Sequence, residues 1–231
     1  MPNLKPVPLP RYCRREAYDL FAAQLPNLRS NAALVRAAVA ISMHQLDDAN
    51  PDAVLAQLEA YAARIKERAR SGLRRAIFAH GHQYLFDNQR FRGNQQDYYN
   101  PTNSYLSKVL ATRRGLPVSL CLIYKVVFEL LEIEVTGINS PGHFLISVEM
   151  DGEATLVDPF SGGQILTREE AYKRIQELSG FTRRPGQEVL IGAAPEDWLI
   201  RLLSNLENLF QRSQQRQHVA AMMELRALLP A

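Results

Sequence analysis

Four side chains in this sequence could perform acyl chemistry if folding brought them together: Ser119, Cys121, His143 and Asp158. A carboxylate bonded to one imidazole nitrogen fixes the tautomer and leaves the other nitrogen to take a proton from a hydroxyl or thiol. The pairing of His143 with Asp158 follows from strand register. Asp151-Gly152 separates two short apolar runs, His143 to Val148 and Ala154 to Val157, and reads as a two-residue hairpin turn. That turn pairs Met150 with Glu153 and, counting outward, sets Leu145 opposite Asp158 and His143 opposite Phe160. Asp158 then shares a sheet face with His143 as a diagonal neighbour about 7–8 Å away, a gap long side chains can bridge.

The nucleophile is less determined. Ser119 falls in the first turn of a helix opened by Pro117, where unsatisfied amides and the helix dipole favour developing negative charge. Cys121 is the better intrinsic nucleophile, but two residues of helix rotate a side chain by about 200°, so only one of the pair can face His143. Each also has a structural alternative. Cys121, between Leu120 and Leu122, has the setting of a small buried apolar residue, Ser119 can bond local backbone, and His143 alone can be a hydrogen-bonded core residue.

Metal and cofactor chemistry finds no support. His80 and His82 are two apart, unsuited to one helix face, and no carboxylate-rich histidine motif accompanies them. Neither standard glycine-rich phosphate loop is present.

The elements that must position these groups are legible from periodicity. Prolines 2, 6, 8 and 10 make the opening an extended lead-in. Leu34, Val35, Ala38, Val39, Ile41 and Met43 recur at helical spacing behind a Ser30 or Asn31 cap, and Val54 to Ala69 repeats the pattern after Asn50-Pro51. A third apolar stretch runs from Ala76 to Phe86. Residues 91–104 form a loop rich in amides and aromatics, with Asn103 or Ser104 as the expected cap of a short helix from Tyr105 to Ala111. Pro117 to Leu131 is apolar on nearly every side and reads as the central helix, followed by strands at Ile133–Ile138, His143–Val148 and Ala154–Val157. Gly180 to Gly192 is a connection, and a helix pair from Trp198 to Leu229 ends the chain, similar in length and pairing to one tetratricopeptide unit. The expected organisation is a helical region over residues 1–86, a core over 87–180, and a linker with a helix pair over 181–231.

Composition limits the function classes. With 231 residues, 46% of them hydrophobic, the chain can bury a core; no apolar run reaches the roughly 18 residues of a membrane span, and the first twenty residues lack a signal peptide's apolar stretch. A cytoplasmic location is expected, with Cys13 and Cys121 as thiols. A net charge of +3 is too balanced for a dedicated nucleic-acid binder, and the basic run Arg64 to Arg75 alternates with Ile65, Ala69 and Leu73 as a solvated helix face does. Neither nucleic acid nor membrane is expected as a partner.

Six blocks in order carry a family resemblance: Arg92-Gly93-Asn94, Asp97 to Pro101, Asn103 to Leu106, Arg113 to Leu120, Pro141 to Phe144 and Asp158 to Gly163. In these the chain resembles the SirB-type transglutaminase-like proteins. The resemblance implies an α+β fold: a helical N-terminal region, a transglutaminase or papain-like core with its central helix packed on a small antiparallel sheet, and tetratricopeptide-like C-terminal helices. Active relatives of this type use a cysteine at the start of the central helix, a histidine on the next strand and an aspartate on the one after. His143 and Asp158 match the last two; the cysteine's place falls near Ser119.

The implied function is therefore a non-catalytic or weakly active transglutaminase-like protein that binds a peptide or protein partner, with a regulatory role suggested by the family's name. Asn94, Asp97, Tyr98, Asn100, Asn103, Arg113 and Arg114 are expected to line or support its cleft. The alternative is an amide hydrolase or acyltransferase using Ser119 or Cys121 with His143 and Asp158, its oxyanion held by first-turn amides.

Overall fold

A computed structural model of the chain describes residues 9–69, 71–180, 182 and 186–230. Four helices precede the site: α1 (Arg15–Gln24), α2 (Asn31–Met43), α3 (Pro51–Arg68) and α4 (Arg74–Gln83). The Ser30 hydroxyl accepts from the Ala33 amide to cap α2, and Asn50 caps α3 ahead of Pro51 in the first turn. A single wide π-type turn, Tyr84–Asn88, ends the α4 segment. Arg70, within the basic run, lies outside the described residues, as do Arg183, Arg184 and Pro185 of the expected connection. Of the rest of that run, Ile65 and Ala69 are buried and Arg75 pairs with Asp151 at 2.6 Å.

The central part interleaves short elements: β1 (Arg92–Gly93), α5 (Leu106–Thr112), β2 (Arg114–Gly115) and α6 (Pro117–Glu129). β1 and β2 pair in parallel, which ties the amide-rich loop to the start of α6. Then come β3 (Val135–Ser140), β4 (His143–Met150), β5 (Glu153–Asp158) and β6 (Gln164–Leu166), one antiparallel sheet in sequence order. Met150 pairs with Glu153 across Asp151-Gly152, as the turn requires, and both turn residues have positive φ, at 53° and 82°.

The sheet is covered on both faces. Phe144, Ile146, Val148 and Val157 join α6 in the main apolar cluster, while Leu145, Leu156 and Leu166 pack against α7 (Arg168–Ser179) through Ala171, Tyr172 and Ile175. Two helices close the chain, α8 (Pro195–Arg212) and α9 (Arg216–Arg226). Trp198 of α8 docks on β3 at Gly137, where a Cβ would meet the indole at 2.2 Å, so only glycine admits it. The main cluster runs continuously from Cys13 to Leu229 and draws on all three segments of the chain. The architecture is α+β, with the central helix on a small antiparallel sheet. Neither Asn103 nor Ser104 caps α5, whose N-cap is Tyr105 with no side-chain bond. No helix among the described residues is long and apolar enough to cross a membrane.

Candidate functional site

Asp158 ends β5 and His143 begins β4, and the register brings Nε2 of His143 to 3.0 Å from Oδ2 of Asp158. Both residues are buried. The same Oδ2 accepts from the Ser161 hydroxyl (2.9 Å) and from Arg174 of α7 (2.7 Å), and Oδ1 accepts from the Phe160 and Ser161 amides (3.0 and 3.3 Å). Burial alone would raise the Asp158 pKa; the hydrogen bond and charge of His143, the Ser161 hydroxyl and Arg174 outweigh it and hold the carboxyl below its ordinary value. An ionised carboxylate only accepts, so Nε2 carries a proton, and in the neutral imidazole the lone pair is then on Nδ1. Nδ1 has no hydrogen-bond partner among the described residues.

The start of α6 lies beside this ring. Pro117 occupies the first helical turn, no side chain caps the helix, and its first amides have no partner inside it. Ser119, fully buried, turns its hydroxyl to the carbonyls of Asn103 (2.7 Å) and Leu116 (3.0 Å). Cys121 is fully buried on the sheet side, with Sγ 3.4 Å from the Phe144 carbonyl. Burial first, and the Asp158 charge second, push its thiol pKa well above the ordinary value. Both candidate nucleophiles are thus committed to backbone carbonyls rather than to His143. The α6 residues that share a cavity with His143 are Pro117 and Val118, neither of which is nucleophilic.

That cavity, of about 430 Å³, opens between the start of α6, the β3–β4 turn, Tyr98 and Tyr99, and one side of α8. α8 contributes Arg201, Asn205, Asn208 and Arg212. Arg201 donates through Nε to Asn139 Oδ1 (2.8 Å) and through Nη2 to the Ser140 and His143 carbonyls, which fixes the strand that carries His143. Arg212 lies 4.7 Å over the Tyr99 ring. Sequence reasoning missed all four. Their signal was present, since Arg201, Asn205, Asn208 and Arg212 are spaced four, three and four apart, a polar stripe beside the apolar Trp198, Leu202, Leu206 and Leu209.

A family model described as the transglutaminase-like superfamily matches residues 52–204, which include α6, His143, Asp158 and most of α8. The chain belongs to that family. Among relatives of this transglutaminase-like chain, a UPF0162 protein of Xylella fastidiosa is 37% identical over 130 residues, covering 55% of the chain and 46% of the relative. A UPF0162 protein of Pasteurella multocida is 30% identical over 99 residues, covering 43% of the chain and 37% of the relative. F-box only protein 21 of Mus musculus is 38% identical over 94 residues, covering 37% of the chain and 15% of the relative. The matched segments thus span less than half the length of each of these relatives. No solved structure is significantly similar.

Of the seven residues expected to line or support the cleft of the transglutaminase-like core, Tyr98 alone lines the cavity with His143. Asn103 instead ties the loop: Nδ2 donates to the carbonyls of Asp97 and Tyr98, and Oδ1 accepts from Asn94. Asn100 caps the Pro101–Ser104 turn through Thr102 and bonds Asp97. Arg113, with positive φ, packs over the Tyr61 and Phe91 rings at 5.6 and 5.1 Å. Arg114 and Asn94 line a separate polar groove with Arg92, Gln96 and Phe160. Phe160 divides the two openings, 6.0 Å from the His143 ring and 6.1 Å from Tyr98. Among the described residues no group of three or more His, Cys, Asp or Glu is placed to hold a metal.

Proposed function

We propose that this transglutaminase-like domain is a pseudoenzyme of SirB type, which binds a peptide or an extended segment of a protein partner in the cavity over His143 and serves a regulatory role in the cytoplasm. One observation carries the reading: the α6 residues facing the cavity with His143 are Pro117 and Val118, while Ser119 and Cys121 bond backbone carbonyls. A peptide fits the opening. Its walls combine Tyr98, Tyr99 and Leu209 with amide and guanidinium groups from α8, the mixed lining that polypeptide binding uses. In this reading the α8–α9 hairpin, tetratricopeptide-like in form, serves as a wall of the cleft.

The second reading, an amide hydrolase or acyltransferase, draws on the His143–Asp158 pair and its free Nδ1. It requires the first turn of α6 to re-form so that Ser119 or Cys121 meets the imidazole. Labelling the folded chain with a fluorophosphonate and with iodoacetamide separates the two. The binding reading predicts no labelling of Ser119 or Cys121, together with binding of members of a random peptide library that Asn208→Trp, which fills the cavity from its exposed edge, abolishes. Rapid labelling at either residue, or binding untouched by Asn208→Trp, overturns it.

A further inference from the structure

The charged lining of the His143 cavity favours a ligand with an anionic group. Among the described residues thirteen line it and none of these is acidic, whereas two, Arg201 and Arg212, are permanent cations. Neither arginine forms an ion pair with a described residue, and Nη1 of Arg201 makes no hydrogen bond among them. The N-terminus of the 13-residue α6 enters the same space uncapped. A helix start alone binds nothing in particular, but here a second group points to a ligand: His143, only 3% exposed, lines the cavity with its Nδ1 unpartnered.

These groups differ in what they accept. The α6 amides and the arginines offer donors to an anion. In the neutral imidazole Nδ1, with Nε2–H spent on Asp158, offers a lone pair to an N–H. A ligand that satisfies both carries a carboxylate and an amide N–H a few bonds apart. The C-terminal residue of a polypeptide has that pattern: an α-carboxylate, and on the adjoining Cα an amide N–H. Its side chain would meet Tyr98, Phe144 and Leu209.

We infer that the cavity recognises the free C-terminus of a peptide or protein partner, with the α-carboxylate held by the α6 amides and the arginines of α8, and the terminal amide N–H donated to His143 Nδ1. This rests on the peptide-binding reading above and specifies which part of the peptide enters.

The test uses two fluorescein-labelled pools of random tetrapeptides, identical except that one ends in a free carboxylate and the other in a carboxamide. Fluorescence anisotropy with the full chain is expected to show the acid pool bound at least about tenfold more tightly than the amide pool, the scale of a lost charge-assisted contact. Arg212→Gln, which removes a rim cation without touching the strands, is expected to narrow that ratio, and added salt to weaken the acid pool alone. Equal binding of both pools, abolished by Asn208→Trp, would overturn carboxylate recognition and leave peptide binding standing. Binding of neither pool would overturn both. Displacement of the acid pool by equimolar acetate would reduce the site to one for simple carboxylates and overturn the C-terminal assignment.

Discussion

Val118 opens onto the same cavity as His143, while Ser119, the next residue of α6, places its hydroxyl 2.7 Å from the Asn103 carbonyl. One residue of helix turns a side chain by about 100°, enough to decide which group meets the imidazole. Pro117 sets that phase by fixing where the helix begins. The imidazole keeps a carboxylate behind it, and α6 presents Pro117 and Val118, rather than a hydroxyl or thiol, to the cavity it lines.

Removing the carboxylate should damage the fold. Asp158→Ala removes the buried acceptor that His143, two amides and Arg174 share, leaving Arg174 only Ser161 and Gln164, a cost of about 3–5 kcal/mol. A urea titration would show this as a lower midpoint at unchanged slope. A loss under about 1 kcal/mol would mean the network contributes little.

The same carboxyl sets an acid limit. Because its folded pKa lies below the unfolded value, its contribution is complete above the ordinary carboxylate pKa and disappears as pH falls through the lower folded one. Asp158→Asn should therefore flatten the stability curve below about pH 4. An unchanged acid slope would contradict the assignment.

A second pH effect arises far from the cavity, where Nε2 of His44 lies 2.8 Å from Nδ1 of His218 and ties the end of α2 to α9. Burial, then the neighbouring His218 and Arg14, lower the His44 pKa from 6.5 to about 4, with Glu224 partly opposing. The unfolded chain then binds the proton first, so stability is complete above about pH 6.5 and declines down to about pH 4. His44→Gln should reduce that slope, leaving a smaller part from His82, which burial also lowers. Thermal unfolding across this range measures it.

Parts of this arrangement are readable in the chain because local chemistry dictates them. Asp151-Gly152 admits few turns, and the turn alone fixed which residues of β4 and β5 pair and hence that His143 and Asp158 share a face. Pro117 and an apolar run marked α6. The direction of Ser119 was not readable, because it depends on the Asn103 carbonyl arriving from a loop sixteen residues earlier. Asn103 resembled a helix cap by type, yet the fold of its own loop gave its amide to the carbonyls of Asp97 and Tyr98. The polar stripe of α8 was visible as spacing, but that it faces His143 follows from Trp198 docking at Gly137, a contact between residues 61 apart.

That docking is itself testable. Gly137→Ala puts a methyl against the indole and should destabilise the chain by about 1–3 kcal/mol, the usual cost of overpacking, while loosening α8 from the cavity. Trp198 is buried and is the single tryptophan, so a red shift in its emission would report the change. An unaltered spectrum and melting temperature would show that α8 is held otherwise.

The most direct measurement concerns Val118, which with Pro117 is what α6 presents to the cavity over His143. In the native chain Cys121 and Cys13 are buried, the thiol of Cys13 pushed up to about 12 and that of Cys121 well above its ordinary value, so iodoacetamide at pH 7 should leave both unmodified. In Val118→Cys a thiol at the start of α6, beside His143, should be alkylated at least about a hundredfold faster, with a pH profile whose midpoint falls below the roughly 8.5 of a free thiol. That result would place residue 118 at the imidazole. A Val118→Cys chain that folds normally yet alkylates as slowly as the native thiols would contradict it.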